Sequence, residues 1–202
     1  MESDVKVNSD VERIVAALER EAVVAIPTDT VYGLAANPRS ATAMRRLFEL
    51  KQRPEGVPVA VLAASGEQAG GLVAPSTRFS ALADAHWPGA LTIVAAAEPG
   101  QGLHIGDTAN KAGIPTVGVR VPDHDLVRAC AEVFGPIAAT SANVHGSPTI
   151  IDPAELLAEF GEVVEVVIDG GRLEGLASTV VDISGPDLTV LRQGVVQLDY
   201  PN

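Results

Sequence analysis

Residues 22–34 read Ala22-Val23-Val24-Ala25-Ile26-Pro27-Thr28-Asp29-Thr30-Val31-Tyr32-Gly33-Leu34, and their pattern decides the fold class. The unbroken apolar run 22–26, closed by Pro27, reads as a strand buried on both faces, because a half-exposed strand would alternate. A polar loop, residues 28–38, leaves its carboxyl end. Ligands of open α/β sheets bind beyond the carboxyl ends of strands, so Thr30 and Tyr32 stand where a ligand is met. The other reading is a plain turn, with Thr28 and Asp29 bonding their own backbone.

Helices and strands alternate on both sides of this stretch. Upstream, Asn8-Ser9-Asp10 caps a helix whose apolar positions Val11, Ile14, Val15 and Leu18 recur at helical spacing. Downstream, Ser40 caps a helix through Leu50, which Pro54 and Gly56 end, and residues 58–62 form the next strand. Ser76 caps a helix running to His86. Strands follow at 91–96 and 116–121, and Pro122-Asp123 opens a helix that carries Cys130. The next strand is 137–140, and Asp152-Pro153 starts a short helix with the proline in its first turn. Late strands fall at 163–168, 178–183 and 188–191, the last two joined by a Gly185-Pro186-Asp187 turn. Residues 66–71 and 99–113 read as loops. The expected fold class is α/β: a single domain over 8–198, with a twisted mixed parallel/antiparallel sheet flanked by helices.

Composition excludes several function classes. Of the 202 residues, 47% are hydrophobic and 20% charged, which is globular rather than disordered, and with aromatics at 3% the interior is left to Val, Ala and Leu. A net charge of -12 argues against general attraction to nucleic acid or anionic membranes. Yet Arg39, Arg45, Arg46, Lys51 and Arg53 cluster in 39–53, where Glu49 is the one acid. Such a local patch suits a small anion, although Arg39, Arg45 and Arg46 also fit a solvated helix face. The one cysteine, Cys130, excludes an intramolecular disulfide and fits a reducing compartment as a buried spectator. The first residues lack the basic and apolar regions of a signal peptide, and no apolar run is long enough to span a bilayer. A cytoplasmic location is expected.

The usual nucleotide loops are absent: neither Gly-x-x-x-x-Gly-Lys-Ser/Thr nor a post-strand Gly-x-Gly-x-x-Gly occurs. His86, His104, His124 and His145 are scattered without metal-ligand spacing, and no Gly-x-Ser-x-Gly elbow is present. Any nucleotide must therefore be met by other groups. Lys51-Gln52-Arg53-Pro54 sets two cations at a helix stop, and Ser141-Ala142-Asn143 sets a hydroxyl and a carboxamide after an apolar run. Arg120 shares a strand face with Thr116 and Gly118, where it either pairs bidentately with a carboxylate or forms a salt bridge to Asp123 or Asp125. Ser178 and Thr179 begin one strand, and Arg192-Gln193-Gly194 closes another.

Taken together, these motifs form an ordered set: residues 27–34, Lys51-x-Arg53-Pro54, Trp87-Pro88-Gly89 with Leu91-Thr92, Val119-Arg120-Val121-Pro122, Ser141-Ala142-Asn143 with Gly146 and Pro148, Ser178-Thr179-Val180-Val181-Asp182, and Leu191-Arg192-x-Gly194. In this order the chain resembles the YrdC-like family over residues 21–196. The resemblance implies a mixed sheet around a large positively charged cavity. It implies a threonylcarbamoyl-AMP synthase, a nucleotidyltransferase that joins L-threonine, bicarbonate and ATP, releases pyrophosphate and serves N6-threonylcarbamoyladenosine formation in tRNA. It assigns Lys51, Arg53, Thr116, Ser141, Asn143 and Arg192 to the ATP or adenylate side, with Lys51 and Arg53 catalytic. Thr30, Tyr32, Arg120 and Ser178 would hold threonine, with Arg120 on its carboxylate.

By the same resemblance, Mg²⁺ arrives with ATP and no protein-only metal site is expected. The product would pass to the tRNA threonylcarbamoyl-transferase complex, with at most weak direct tRNA binding and no membrane. In two places the chain departs from longer family members, which carry Asn and His where this chain has Val57 and Leu62. It also resembles the short form, without an extra C-terminal domain. Two rival readings are a non-catalytic RNA-binding module and a carbamoyl-transfer enzyme with a different acceptor.

Overall fold

A computed structural model describes residues 2–52, 54, 56–173 and 175–198. Arg53, expected in the site, lies outside the described residues. The fold is a single α/β domain built on one mixed sheet. In chain order its elements are α1 (Glu2–Glu19), β1 (Val24–Ile26), β2 (Gly33–Ala36), α2 (Ala41–Leu50), β3 (Ala60–Leu62), α3 (Gly66–Gly70), α4 (Thr77–His86), β4 (Leu91–Ala96), β5 (Thr116–Arg120), α5 (Asp125–Phe134), β6 (Ile137–Ser141), α6 (Pro153–Phe160), β7 (Val166–Val167), β8 (Thr179–Asp182) and β9 (Thr189–Arg192). The strand order is β7-β1-β2-β6-β3-β5-β4-β8-β9. Three pairs are parallel (β1 with β7, β3 with β5, β4 with β8) and the other five are antiparallel.

One face of the sheet is covered from β1 to β8. Ala25, Leu34, Val61, Ile93, Val117, Val119, Ala138 and Val181 join Met44, Leu47, Phe79 and Leu82 from α2 and α4 in one buried cluster. On the other face, Val24, Ile26, Ala35, Leu62 and Ile137 pack under Ile14 and Leu18 of α1 and Val127 and Cys130 of α5. That second layer covers only the β7-to-β3 side. Over β5, β4 and β8 the same face carries Thr116, Gly118, Arg120, Thr92, Val94, Val180 and Asp182, and the space above it is a cavity. Burial raises the Cys130 thiol to about 12, so this cysteine belongs to the packing under α5. No helix among the described residues is long and apolar enough to cross a membrane.

Most boundaries follow from the caps and alternation. The Ser40 and Ser76 side chains accept from the N–H groups of Ala43 and Phe79, and Asp152 accepts from that of Ala154. Three expectations are corrected. Helix α1 begins at Glu2, so Asn8-Ser9-Asp10 lies inside it, and Asp10 pairs with Arg13 at 3.0 Å instead of capping. Strand β2 occupies the segment expected to be loop. Gly-Leu-Ala-Ala carries little strand propensity, but β1 on one side and β6 on the other satisfy its buried backbone. Helix α3 likewise replaces an expected loop, its first turn capped by Ser65 through the Gln68 N–H.

Candidate active site

The cavity measures about 660 Å³. Strand alternation builds its floor: in β5, Val117 and Val119 enter the core while Thr116, Gly118 and Arg120 face the cavity. Thr92 and Val94 of β4 lie beside Val180 and Asp182 of β8 in register. Thr30, Ser141, Ser178 and Arg192 complete the polar wall, with Asp107 and Asp182 as the carboxylates. Val57 and Leu62 also line the cavity, and Leu62 stands in register with Arg120.

Arg120 is buried and held on three sides. Its Nε–H donates to the Gly89 carbonyl at 2.9 Å, Nη1 donates to Thr30 Oγ1 at 3.0 Å, and Nη2 donates to the Asp29 carboxylate. A buried cation needs such partners. Each terminal nitrogen keeps one further N–H, which is the fork a carboxylate accepts. The salt bridges expected from sequence as the alternative do not form, because Asp123 and Asp125 both pair with Arg128. The turn reading of the loop holds for Thr28 and not for Asp29. Thr28 Oγ1 donates to the Val31 carbonyl and accepts from the N–H groups of Thr30 and Val31, shaping the turn that presents Thr30. Asp29 commits its carboxylate to Arg120.

A second cation enters from the sheet edge. Arg192 donates from Nε to the Ser178 carbonyl and from Nη2 to Ser178 Oγ, each at 3.0 Å, and Ser178 Oγ lies 3.0 Å from Thr92 Oγ1. Gly194 permits this approach, since a Cβ there would meet the Ala177 carbonyl oxygen at 2.2 Å. Burial first, and then repulsion from Arg120, lowers the Arg192 pKa. Both guanidinium groups border the same cavity, an arrangement that favours an anion between them. Thr116 Oγ1 donates to the Thr108 carbonyl, tying the 99–113 loop to the rim.

Behind Ser141 lies a third group. Lys51 is fully buried at the C-cap of α2, and its ammonium donates to the Ser141 and Asn143 carbonyls at 2.5 and 2.8 Å and to Asn143 Oδ1 at 2.9 Å. Tyr32 is equally buried. Its hydroxyl donates to the Gly171 carbonyl at 2.7 Å and accepts from the Gly170 N–H at 3.0 Å, and burial raises its pKa.

The Sua5/YciO/YrdC family model, described as "Telomere recombination", matches residues 16–194. The chain belongs to this family. A putative threonylcarbamoyl-AMP synthase of Mycobacterium tuberculosis is 35% identical over 187 residues, 92% of this chain and 84% of that protein. A threonylcarbamoyl-AMP synthase of Vibrio cholerae is 35% identical over 192 residues, 92% of this chain and 97% of that protein. Among solved structures, Sua5 of Pyrococcus abyssi complexed with L-threonine superposes with a TM-score of 0.81 at 34% identity, covering 91% of this chain and 54% of that one. The chain thus spans about half the length of the Pyrococcus protein. YciO of E. coli, at 24% identity and a TM-score of 0.83, is similar in fold.

Of the residues expected from the resemblance to this Sua5/YciO/YrdC family, Thr30, Thr116, Arg120, Ser141, Ser178 and Arg192 meet in the cavity wall. Among the described residues that wall does not include Lys51, Asn143 or Tyr32, which stand one layer back. The residues that sequence reasoning missed are Asp29, which holds Arg120, and Thr92, bonded to Ser178. Asp29 left a signal in its place between two threonines at a strand end, but only the fold reveals its partner, 91 positions away. Among the described residues, no three His, Cys, Asp or Glu side chains gather as a metal site in this Sua5/YciO/YrdC member.

Proposed function

We propose that this chain is a threonylcarbamoyl-AMP synthase, acting as one domain over residues 8–198. It condenses L-threonine, bicarbonate and ATP with release of pyrophosphate. The observation that carries the reading is the pairing of two guanidinium groups, Arg120 and Arg192, across one hydroxyl-lined cavity. Relatives named as this synthase, and a relative with L-threonine bound, support it.

In this reading the two remaining N–H groups of Arg120 receive the threonine carboxylate, with Thr30 and Ser178 beside it and Tyr32 bracing the loop through residues 170–171. Mg²⁺-ATP lies towards Thr116, Ser141 and Arg192, with Lys51 and Asn143 behind Ser141, and Arg53 is assigned to ATP from its sequence motif alone. The threonine amine attacks the bicarbonate carbon, and loss of water leaves an N-carboxylate. One oxygen of that carboxylate bonds to the α-phosphorus as the bond to pyrophosphate breaks. Negative charge gathers on the phosphate oxygens throughout, so fixed cations and hydrogen-bond donors supply most of the catalysis. The labile adenylate is then handed to the tRNA threonylcarbamoyl-transferase machinery, in the cytoplasm where ATP and tRNA are found.

The test is pyrophosphate release from ATP and bicarbonate with and without L-threonine. Release that requires threonine is expected. Release that is equal with several other amino acids would instead indicate a carbamoyl-transferring enzyme with another acceptor. No release, together with tight tRNA binding, would indicate an RNA-binding module.

A further inference from the structure

Resting on that reading, we propose that Lys51 is a positioning residue: its ammonium holds the 141–143 segment in place for the nucleotide and does not itself touch the phosphates. Lys51 is 1% exposed, while Ser141 forms part of the cavity wall in front of it. A lysine ammonium has three N–H groups and no acceptor. Among the described residues, the Ser141 carbonyl, the Asn143 carbonyl and Asn143 Oδ1 accept from it, at 2.5, 2.8 and 2.9 Å. Turning the N–H that serves the Asn143 carbonyl towards a phosphate would take a charged donor from a buried oxygen, at a penalty as large as the strength of the new hydrogen bond, whereas the Ser141 carbonyl also accepts from the Asn143 N–H at 3.1 Å. The backbone ties the same two segments together, because the His145 N–H donates to the Lys51 carbonyl at 2.8 Å.

The arrangement also explains how Ser141 can serve a ligand. Ser141 Oγ donates to Asn143 Oδ1 at 2.6 Å, and Asn143 Nδ2 donates to the Ser147 carbonyl at 2.6 Å. Asn143 Oδ1 thus accepts from both Ser141 and Lys51. When the Ser141 hydroxyl turns its proton to a phosphate oxygen, Oδ1 keeps a charged donor and is not left unpaired. The lysine frees the serine hydroxyl and fixes which way the carboxamide faces. The positive charge helps an anion through space, but the main effect runs through these two side chains.

A double-mutant cycle separates this role from a direct contact. Mg²⁺-ATP and L-threonine affinities are measured by calorimetry for the parent, Lys51→Met, Asn143→Ala and the double variant, with melting temperature as a check on folding. Each single change is expected to weaken ATP binding about tenfold and the double by no more than the worse single, with threonine affinity unmoved. Losses that multiply to about a hundredfold in the double would overturn the proposal. Lys51→Arg gives an independent reading: the charge is kept, but the planar fork does not fit a three-oxygen cradle. Loss of ATP affinity in Lys51→Arg is expected, and near-parental affinity would also overturn the proposal. If the parent binds ATP but releases no pyrophosphate with threonine, the synthase reading fails while the cycle stays readable. If it binds no ATP, both fail.

Discussion

Arg120 shows how much a single residue can organise. Its Nε–H and one N–H of each terminal nitrogen are bound by Gly89, Thr30 and Asp29, so the guanidinium cannot rotate, and its two remaining N–H groups keep a set direction. Arg120→Ala is expected to weaken threonine binding by about 1.5–3 kcal/mol, the range for hydrogen bonds to charged groups, while leaving ATP affinity close to the parent's. Calorimetric titration gives both numbers, and an unchanged threonine affinity would reject the assignment. That Arg120 belongs to a site could be read from its place among small residues on one strand face. Asp29 could not, because a carboxylate in a turn has several local uses, and its real partner is chosen by how strands pack.

At the scale of elements, the two faces of β4 and β5 do different work, and stability measurements should tell them apart. Ile93 is fully buried in the covered face, whereas Val94, next along the strand, borders the cavity. Ile93→Ala is expected to cost about 2–5 kcal/mol in urea unfolding, as other large-to-small core changes do. Val94→Ala should cost about 1 kcal/mol or less and show itself in ligand affinity instead. The reverse order would mean that the faces are assigned wrongly. Period-two alternation made β5 legible, and an unbroken apolar run did the same for β1. Strand β2 and helix α3 escaped notice for a physical reason. Short runs of Gly and Ala have weak intrinsic preferences, and what makes Gly33–Ala36 a strand is a neighbour on each side, β1 and β6.

For the whole molecule, charge limits the partners. The chain carries -12 overall; the buried Arg120 guanidinium faces the cavity, and Arg192, exposed on the edge strand, borders the same cavity. Each phosphate neutralised on a nucleic acid adds about 0.9 to the slope of log affinity against log salt for a duplex and about 0.7 for a single strand. Direct tRNA binding is therefore expected to be weak, with a slope of magnitude about 3 or less in a salt titration. A slope of magnitude about 6 or more would point to an extended RNA surface and count against small-molecule chemistry as the main task.

The sequence by itself determined the α/β class, the cap-bounded helices and the ordered motifs that mark a Sua5/YciO/YrdC member. Those features depend on residues close together along the chain, where spacing and side-chain chemistry act directly. Only the tertiary structure decided that Lys51 reaches Ser141, 90 positions on, that Asp29 faces Arg120, and that Tyr32 braces a loop instead of lining the wall. The order β2-β6-β3-β5-β4-β8 brings those distant groups together. Strand order results from packing over the whole sheet, and no local pattern in the chain encodes it.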